Sequence, residues 1–270
     1  MYDVPFYAVP VVNALLFIYK ALALISIPYT LGFSIIVLTI VIRLILYPVI
    51  SSQLKATKKM QDVNPHLKKL KEKHKGDAKT LQAETMKLYK EFGINPLAGC
   101  LPLIIQLPVI WSLYAALSSI SNLTPVVTAK IVYFDFLKIS KPWDLYFFGL
   151  PLAQNPSNLI NTIGPMILIV PLLTGVFQFV QSKMMLPVAA KKEDKKLATN
   201  EKKPDDFATA FQSQSLYIFP IMIGFFSWTF PIGLSLYWNT FTIFGIIQQY
   251  KISGLGGLEE WTNKLWQKKN

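Results

Sequence analysis

Charge in this chain comes in blocks, and the stretches between the blocks are too long and too apolar for a water-soluble fold. Ala21 to Leu54 holds one charged residue, and Leu145–Ser182 and Phe207–Tyr250 hold none. About 20 apolar residues cross a bilayer as a helix, so the last run is long enough for two passes. Hydrophobic residues are 52% of the 270, and a soluble domain of this length would spread more charge more evenly. The expected fold class is all-α: a polytopic membrane protein with five transmembrane helices.

The single charge inside the first run is Arg43, the only arginine in the chain. Thr39-Ile-Val-Ile-Arg43-Leu-Ile-Leu-Tyr-Pro48 has the composition of lipid-embedded helix on both sides of it. A cation at the centre of a spanning helix costs about 2.5–3.5 kcal/mol on the lenient insertion scale. Such a residue needs a polar cavity or an anionic partner.

The pattern divides the chain in order. Residues 1–29 predict an extracytoplasmic helix lying in the membrane interface, since Pro10, Asn13 and Lys20 interrupt its apolar run. Residues 30–50 form the first span, ending where Pro48 disrupts helical hydrogen bonds. Residues 51–94 predict a cytoplasmic helical hairpin. This segment has helical stripes at Met60, Val63, Leu67 and Leu70 and at Leu81, Thr85, Leu88 and Phe92, with Gly76 in the turn and Asp77 as a cap. The second span covers 95–119, an extracytoplasmic aromatic-rich loop 120–158, and the third span 159–182. A cytoplasmic polar loop follows at 183–210. The fourth span is 211–230, Pro231-Ile-Gly233 is a turn within the segment 231–251 that holds the fifth, and a cytoplasmic tail runs from 252 to 270.

Five spans place the hairpin, the second polar loop and the tail on one side. That side holds 22 lysines and the other four. Lysine-rich flanks stay in the cytoplasm, so the N-terminus is expected outside and the C-terminus inside. The net charge of +12 therefore marks cytoplasmic loops, and contact with anionic lipid, in preference to a nucleic-acid site. The single cysteine, Cys100, implies no internal disulfide, and Leu97-Ala98-Gly99-Cys100 lies too deep in the chain for a lipoprotein cleavage box. No basic segment precedes the first apolar stretch, so no signal peptide is evident.

Arg43 lies about eight residues from the cytoplasmic end of its span, or roughly 12 Å at the helical rise. Thr39 is one turn away on the same face. Gln106, Gln178, Tyr237, Trp238 and Asn239 add polar groups in other spans, but no predicted span contains Asp or Glu. Arg43 must then face water, backbone carbonyls, lipid phosphate or an anion from another molecule. The bland reading is that it snorkels to the headgroups, and the sharper one is a hydrated cavity, open to the cytoplasm, that attracts negative charge. Enzyme chemistry is not expected: HExxH, GxSxG, a phosphate-cradling glycine loop and paired intramembrane aspartates are all missing. His66 and His74 fit a solvated helix face better than a metal site, and no cofactor is expected.

Three blocks together resemble the YidC/Oxa/Alb family of membrane protein insertases. They are Thr39 to Pro48 followed by the lysine-rich hairpin; Tyr89-Lys-Glu-Phe-Gly-Ile-Asn95-Pro96-Leu-Ala-Gly99-Cys100-Leu-Pro102-Leu-Ile-Ile-Gln106-Leu-Pro108; and Phe230-Pro231-Ile-Gly233-Leu-Ser-Leu-Tyr237-Trp238 with Gln248-Gln249. The resemblance extends over residues 30 to 251 and is to a bacterial core lacking a large periplasmic domain. It implies insertion and folding of nascent membrane proteins in the plasma membrane, alone or beside the Sec translocon, through a hydrated groove open to the cytoplasm. It also implies that Arg43 attracts acidic substrate segments, and that Thr39, Gln106, Gln178, Tyr237 and Trp238 belong to the groove. Ribosome binding is carried less firmly, because the tail is short. The family often has Asn where this chain has Thr242, and no role passes to the neighbouring Asn239. Two other readings stay open on the residues alone: a small anion transporter or channel binding at Arg43, and a passive scaffold in which Arg43 is dispensable.

Overall fold

The computed structural model describes residues 5–74, 76–93, 101–120, 125–139, 143–186 and 207–259. The Asn95-Pro96 motif, Cys100, most of the second polar loop and the end of the tail lie outside them. The described residues are mostly helical: α1 Val9–Leu24, α2 Thr30–Ile45, α3 Tyr47–Lys73, α4 Ala78–Glu91, α5 Leu101–Ser119, α6 Pro125–Ile131, α7 Pro156–Ile163, α8 Ile169–Met184, α9 Phe207–Thr229 and α10 Ile232–Ser253. A two-residue antiparallel pair, β1 Tyr146–Phe147 and β2 Leu150–Pro151, sits between α6 and α7.

The chain divides into two compact units, with the division falling inside α8, α9 and α10. The first comprises residues 1–47, 102–178 and 220–244. Its core joins Val12, Leu15 and Leu16 of α1 to Leu31, Ile35 and Leu38 of α2, Leu113 and Leu117 of α5, and Leu234 and Tyr237 of α10. The polar residues of α1 have structural uses. Buried Asn13 donates to Ile131 O at 2.9 Å and accepts from Tyr133 N–H at 2.7 Å, which fixes the chain after α6. Lys20 donates to Phe136 O at 2.6 Å.

Two expected boundaries are corrected. The third span was expected to start at residue 159. Instead Gly164 takes φ 83°, in the left-handed region that glycine tolerates, and Pro165 follows. The break assigns Leu159 to the short helix α7. Helix then runs from Pro165 to Met184, 20 residues, and it alone among the described residues is long and apolar enough to cross a membrane by itself. The 16-residue α2 passes the same test only when taken with the start of α3.

The second correction concerns Gly233, expected in a turn but found in the first turn of α10. The first helical N–H groups lack partners inside a helix. Here Ile232 N–H donates to Gln154 O at 2.9 Å and Gly233 N–H to Leu152 O at 2.8 Å. A Cβ at 233 would stand 3.0 Å from the Leu117 methyls and 3.2 Å from Leu152 O, so glycine relieves a tight approach of α10 to the loop.

The second unit comprises residues 48–101, 179–219 and 245–270. In it, Val63 and Leu67 of α3 and Leu81 of α4 are buried, whereas Phe92 is exposed. Asp77 caps α4: its carboxylate accepts from Thr80 N–H at 3.0 Å and from the Thr80 hydroxyl at 2.5 Å. These bonds hold the Asp77 carboxyl below the usual carboxylate range. The His66 and Phe92 rings lie 5.4 Å apart and join α3 to the end of α4.

Candidate functional site around Arg43

The hydroxyls of α2 are satisfied along the helix itself. Ser34 donates to Thr30 O and Thr39 to Ile35 O, each at 2.6 Å. Back-bonding of this kind lets a hydroxyl lie in an apolar span without an outside partner. Thr39 is 1% exposed, so its hydroxyl is committed inward.

Arg43 lies one turn further along, in the last turn of α2, where a cation also favours the helix dipole. It is 2% exposed. The residue neither stands in open water nor snorkels outward, as the sequence alone allowed. Its Nη2 donates to the Phe241 carbonyl at 2.6 Å, and its guanidinium carbon lies 3.4 Å from the centre of the Phe241 ring. The Phe244 ring is 5.9 Å away. Among the described residues the buried Nε–H has no acceptor. Among the described residues Arg43 makes no ion pair.

Magnitudes explain how the charge is held. A desolvated cation–π contact stabilises by about 2 kcal/mol, and a hydrogen bond from a charged donor by about 1.5–3 kcal/mol. Together they exceed the insertion-scale cost of about 2.5–3.5 kcal/mol for the cation, and an unsatisfied buried donor takes back about 1–3 kcal/mol. The unpaired Nε keeps the balance near zero. Arg43 is tolerated but incompletely solvated, and it can still accept a stronger partner.

Tyr237 lies one turn before Phe241 on α10, and their ring centres are 5.9 Å apart. Buried Tyr237 accepts a hydrogen bond from the Gln106 side-chain amide of α5. Arg43, Phe241, Tyr237 and Gln106 thus form a continuous polar–aromatic row across α2, α10 and α5. Trp238 turns to another face, where its indole N–H donates to Gln178 Oε1 of α8 at 3.3 Å. A small crevice there, about 10 Å³ of water-sized space, is lined by Thr174, Ser227, Ser235 and Trp238 with apolar neighbours. The sequence candidates therefore fall into two groups: Arg43 with Tyr237 and Gln106, and Trp238 with Gln178. Thr39 belongs to the first by its place on α2.

Sequence reasoning missed Phe241. The available signal was its spacing of four from the candidate Tyr237, which puts both on one helix face. The Ser227 and Ser235 hydroxyls, 2.8 Å apart, were also missed, as was the Ser227 bond to Thr174 at 3.2 Å. Thr242 and Asn239 are in α10, and among the described residues the buried Thr242 hydroxyl and Asn239 side-chain oxygen have no hydrogen-bond partner. Among the described residues no group of three or more His, Cys, Asp or Glu could hold a metal.

Comparison with known proteins places this chain in a family. The model of the family described as 60Kd inner membrane protein matches residues 23–255. A membrane protein insertase YidC of Fusobacterium nucleatum is 32% identical over 225 residues, covering 83% of this chain and 87% of that protein. The membrane protein insertase MisCA of Bacillus subtilis is 34% identical over 227 residues, covering 83% of this chain and 70% of the relative. The chloroplastic inner membrane protein ALBINO3 of Arabidopsis thaliana is 32% identical over 247 residues, and the chain spans about half of that protein's length, 49%. None of these names denotes an enzyme. The extent of these matches shows that the chain belongs to the 60Kd inner membrane protein family, that of the YidC/Oxa/Alb insertases.

Proposed function

We propose that this protein inserts newly made membrane proteins into the bilayer without enzymatic chemistry, and that Arg43 attracts acidic segments of the substrate. The observation that carries the reading is a buried guanidinium held by a carbonyl and a ring, with its Nε–H unpaired and no ion pair among the described residues. An arriving carboxylate offers a charge-assisted, two-pronged bond that the present partners do not. The attraction operates in a low-dielectric setting, where it is far stronger than in water. Partition of the new apolar helix into lipid then drives release. The names of the relatives support the same function.

In this reading five spans put the N-terminus outside and the C-terminus in the cytoplasm, on the strength of the lysine distribution. The polar row from Arg43 to Gln106 belongs to a groove that becomes hydrated when substrate engages, and the Trp238–Gln178 pair adjoins it. The hairpin of α3 and α4 receives substrate on the cytoplasmic side. Anionic lipid contacts its lysines, and the Sec translocon and the ribosome are candidate partners.

The test is insertion into liposomes by the full chain, using test proteins whose translocated tails carry Asp or Asn at the same positions. Arg43→Ala is expected to lower insertion of the Asp tail about tenfold, with Arg43→Lys milder because one cation remains. Equal insertion by all three proteins at equal amounts would defeat the reading. Anion flux through the purified protein in the same liposomes would favour a transporter instead.

A further inference from the structure

We propose that Phe241 sets how much negative charge a substrate segment must carry to engage Arg43; this rests on the reading of Arg43 as the attracting group. Phe241 meets the guanidinium twice. Its carbonyl accepts from Nη2 at 2.6 Å, and its ring covers the guanidinium carbon at 3.4 Å. The first contact is main-chain and survives any side-chain change; the second is the property of an aromatic ring at this position.

The ring is held over Arg43 from its own helix. Tyr237 packs one turn before it, and Gln106 of α5 fixes the Tyr237 hydroxyl. With Arg43 only 2% exposed, a substrate reaches the guanidinium by displacing the ring. The face of an aromatic ring attracts a cation, but less than an ionised carboxylate does. A segment with several carboxylates displaces it readily. A segment with one does so weakly, and a neutral segment does not. The cap thereby converts a general attraction into a threshold, and it keeps the charge from being hydrated or paired with stray anions between substrates.

Arg43 is the only arginine in the chain, so its exposure can be read without ambiguity. Phenylglyoxal, which modifies guanidinium groups, is added to the full chain in liposomes and the labelled peptide is measured by mass spectrometry. Phe241→Leu is expected to speed labelling by roughly an order of magnitude through loss of the cation–π contact, and Phe241→Trp to stay slow. In the insertion assay, Phe241→Leu is expected to let a tail with one Asp insert as well as one with two, and Phe241→Trp to restore the difference. Phe241→Met serves as a second ring-free variant if the leucine protein does not fold.

Fast labelling of the unaltered protein, or unchanged labelling in both ring-free variants, would show that no cap exists. Faster labelling with an unchanged dependence on Asp number, while Arg43→Ala still lowers acidic-tail insertion, would overturn the threshold and leave the role of Arg43 standing. An Arg43→Ala protein that inserts acidic and neutral tails like the unaltered one would overturn that role itself.

Discussion

The two units treat charge in opposite ways. In the first, one arginine is buried against a ring and a carbonyl, and buried Asn13, Ser34 and Thr39 find partners in the protein backbone. Its outward residues include Leu44, Ile45, Met166, Leu172 and Phe225, all well exposed. In the second, the hairpin of α3 and α4 puts its charges at the surface, where Lys87 pairs with Glu84 three residues earlier. Surface pairs of this type contribute little and are screened by salt. The lesson concerns availability. A lysine in the hairpin already has water and acids around it, while Arg43 has only neutral partners among the described residues and gains most from an added carboxylate.

The largest effect is expected in the packing of the unit that holds Arg43. A Cβ at Gly32 of α2 would collide with the Phe147 ring of β1. Gly32→Leu is therefore expected to destabilise by about 3 kcal/mol, at the upper end of overpacking costs. Thermal unfolding of the detergent-solubilised protein checks this; an unchanged midpoint would mean that β1 does not pack on α2. Asn13→Ala comes next. It leaves the Ile131 carbonyl and the Tyr133 N–H without their partner, at about 1–3 kcal/mol, read in the same melt and in faster amide exchange after α6.

Arg43→Met sharpens the contrast because its sign is opposite. Removing a buried charge with one unpaired N–H should leave stability unchanged or raise it, by up to about 1–2 kcal/mol, while acidic-tail insertion falls. A large loss of stability would mean that Arg43 is structural. The smallest effect is expected in the hairpin. Asp77→Ala should speed amide exchange only in the first turn of α4. The native Asp77 carboxyl is held below its unfolded value by Thr80. Its contribution is therefore complete above the unfolded pKa and is lost as pH falls through the lowered native one. Exchange in α4 that is insensitive to acid would remove the cap from the account.

Arg43 was conspicuous in the sequence because nothing else in its run is charged, and the missing intramembrane acids excluded an internal ion pair within the predicted spans. The partner that the structure supplies, the Phe241 carbonyl, could not be read because every residue has a carbonyl. Gly164-Pro165 was a readable helix break. The apolar composition on both sides concealed it, since hydropathy is blind to φ. Gly233 misled in the other direction. Glycine after proline suggests a turn, yet here its missing side chain lets a helix begin against Leu117 and Leu152. Asp77 was legible because a helix cap depends on neighbours within three residues. The partners of Arg43 and Gly233 stayed hidden because they lie far away in the chain.

An acidic substrate segment is expected to come to Arg43. The most direct measurement places a photo-crosslinking residue at half-buried Gln106, in the row that leads to Arg43, and follows a nascent membrane protein with an acidic tail. The account predicts a crosslink to the acidic tail that weakens when the Asp residues become Asn and when Arg43 becomes Ala. A crosslink of equal strength in all three cases would contradict it.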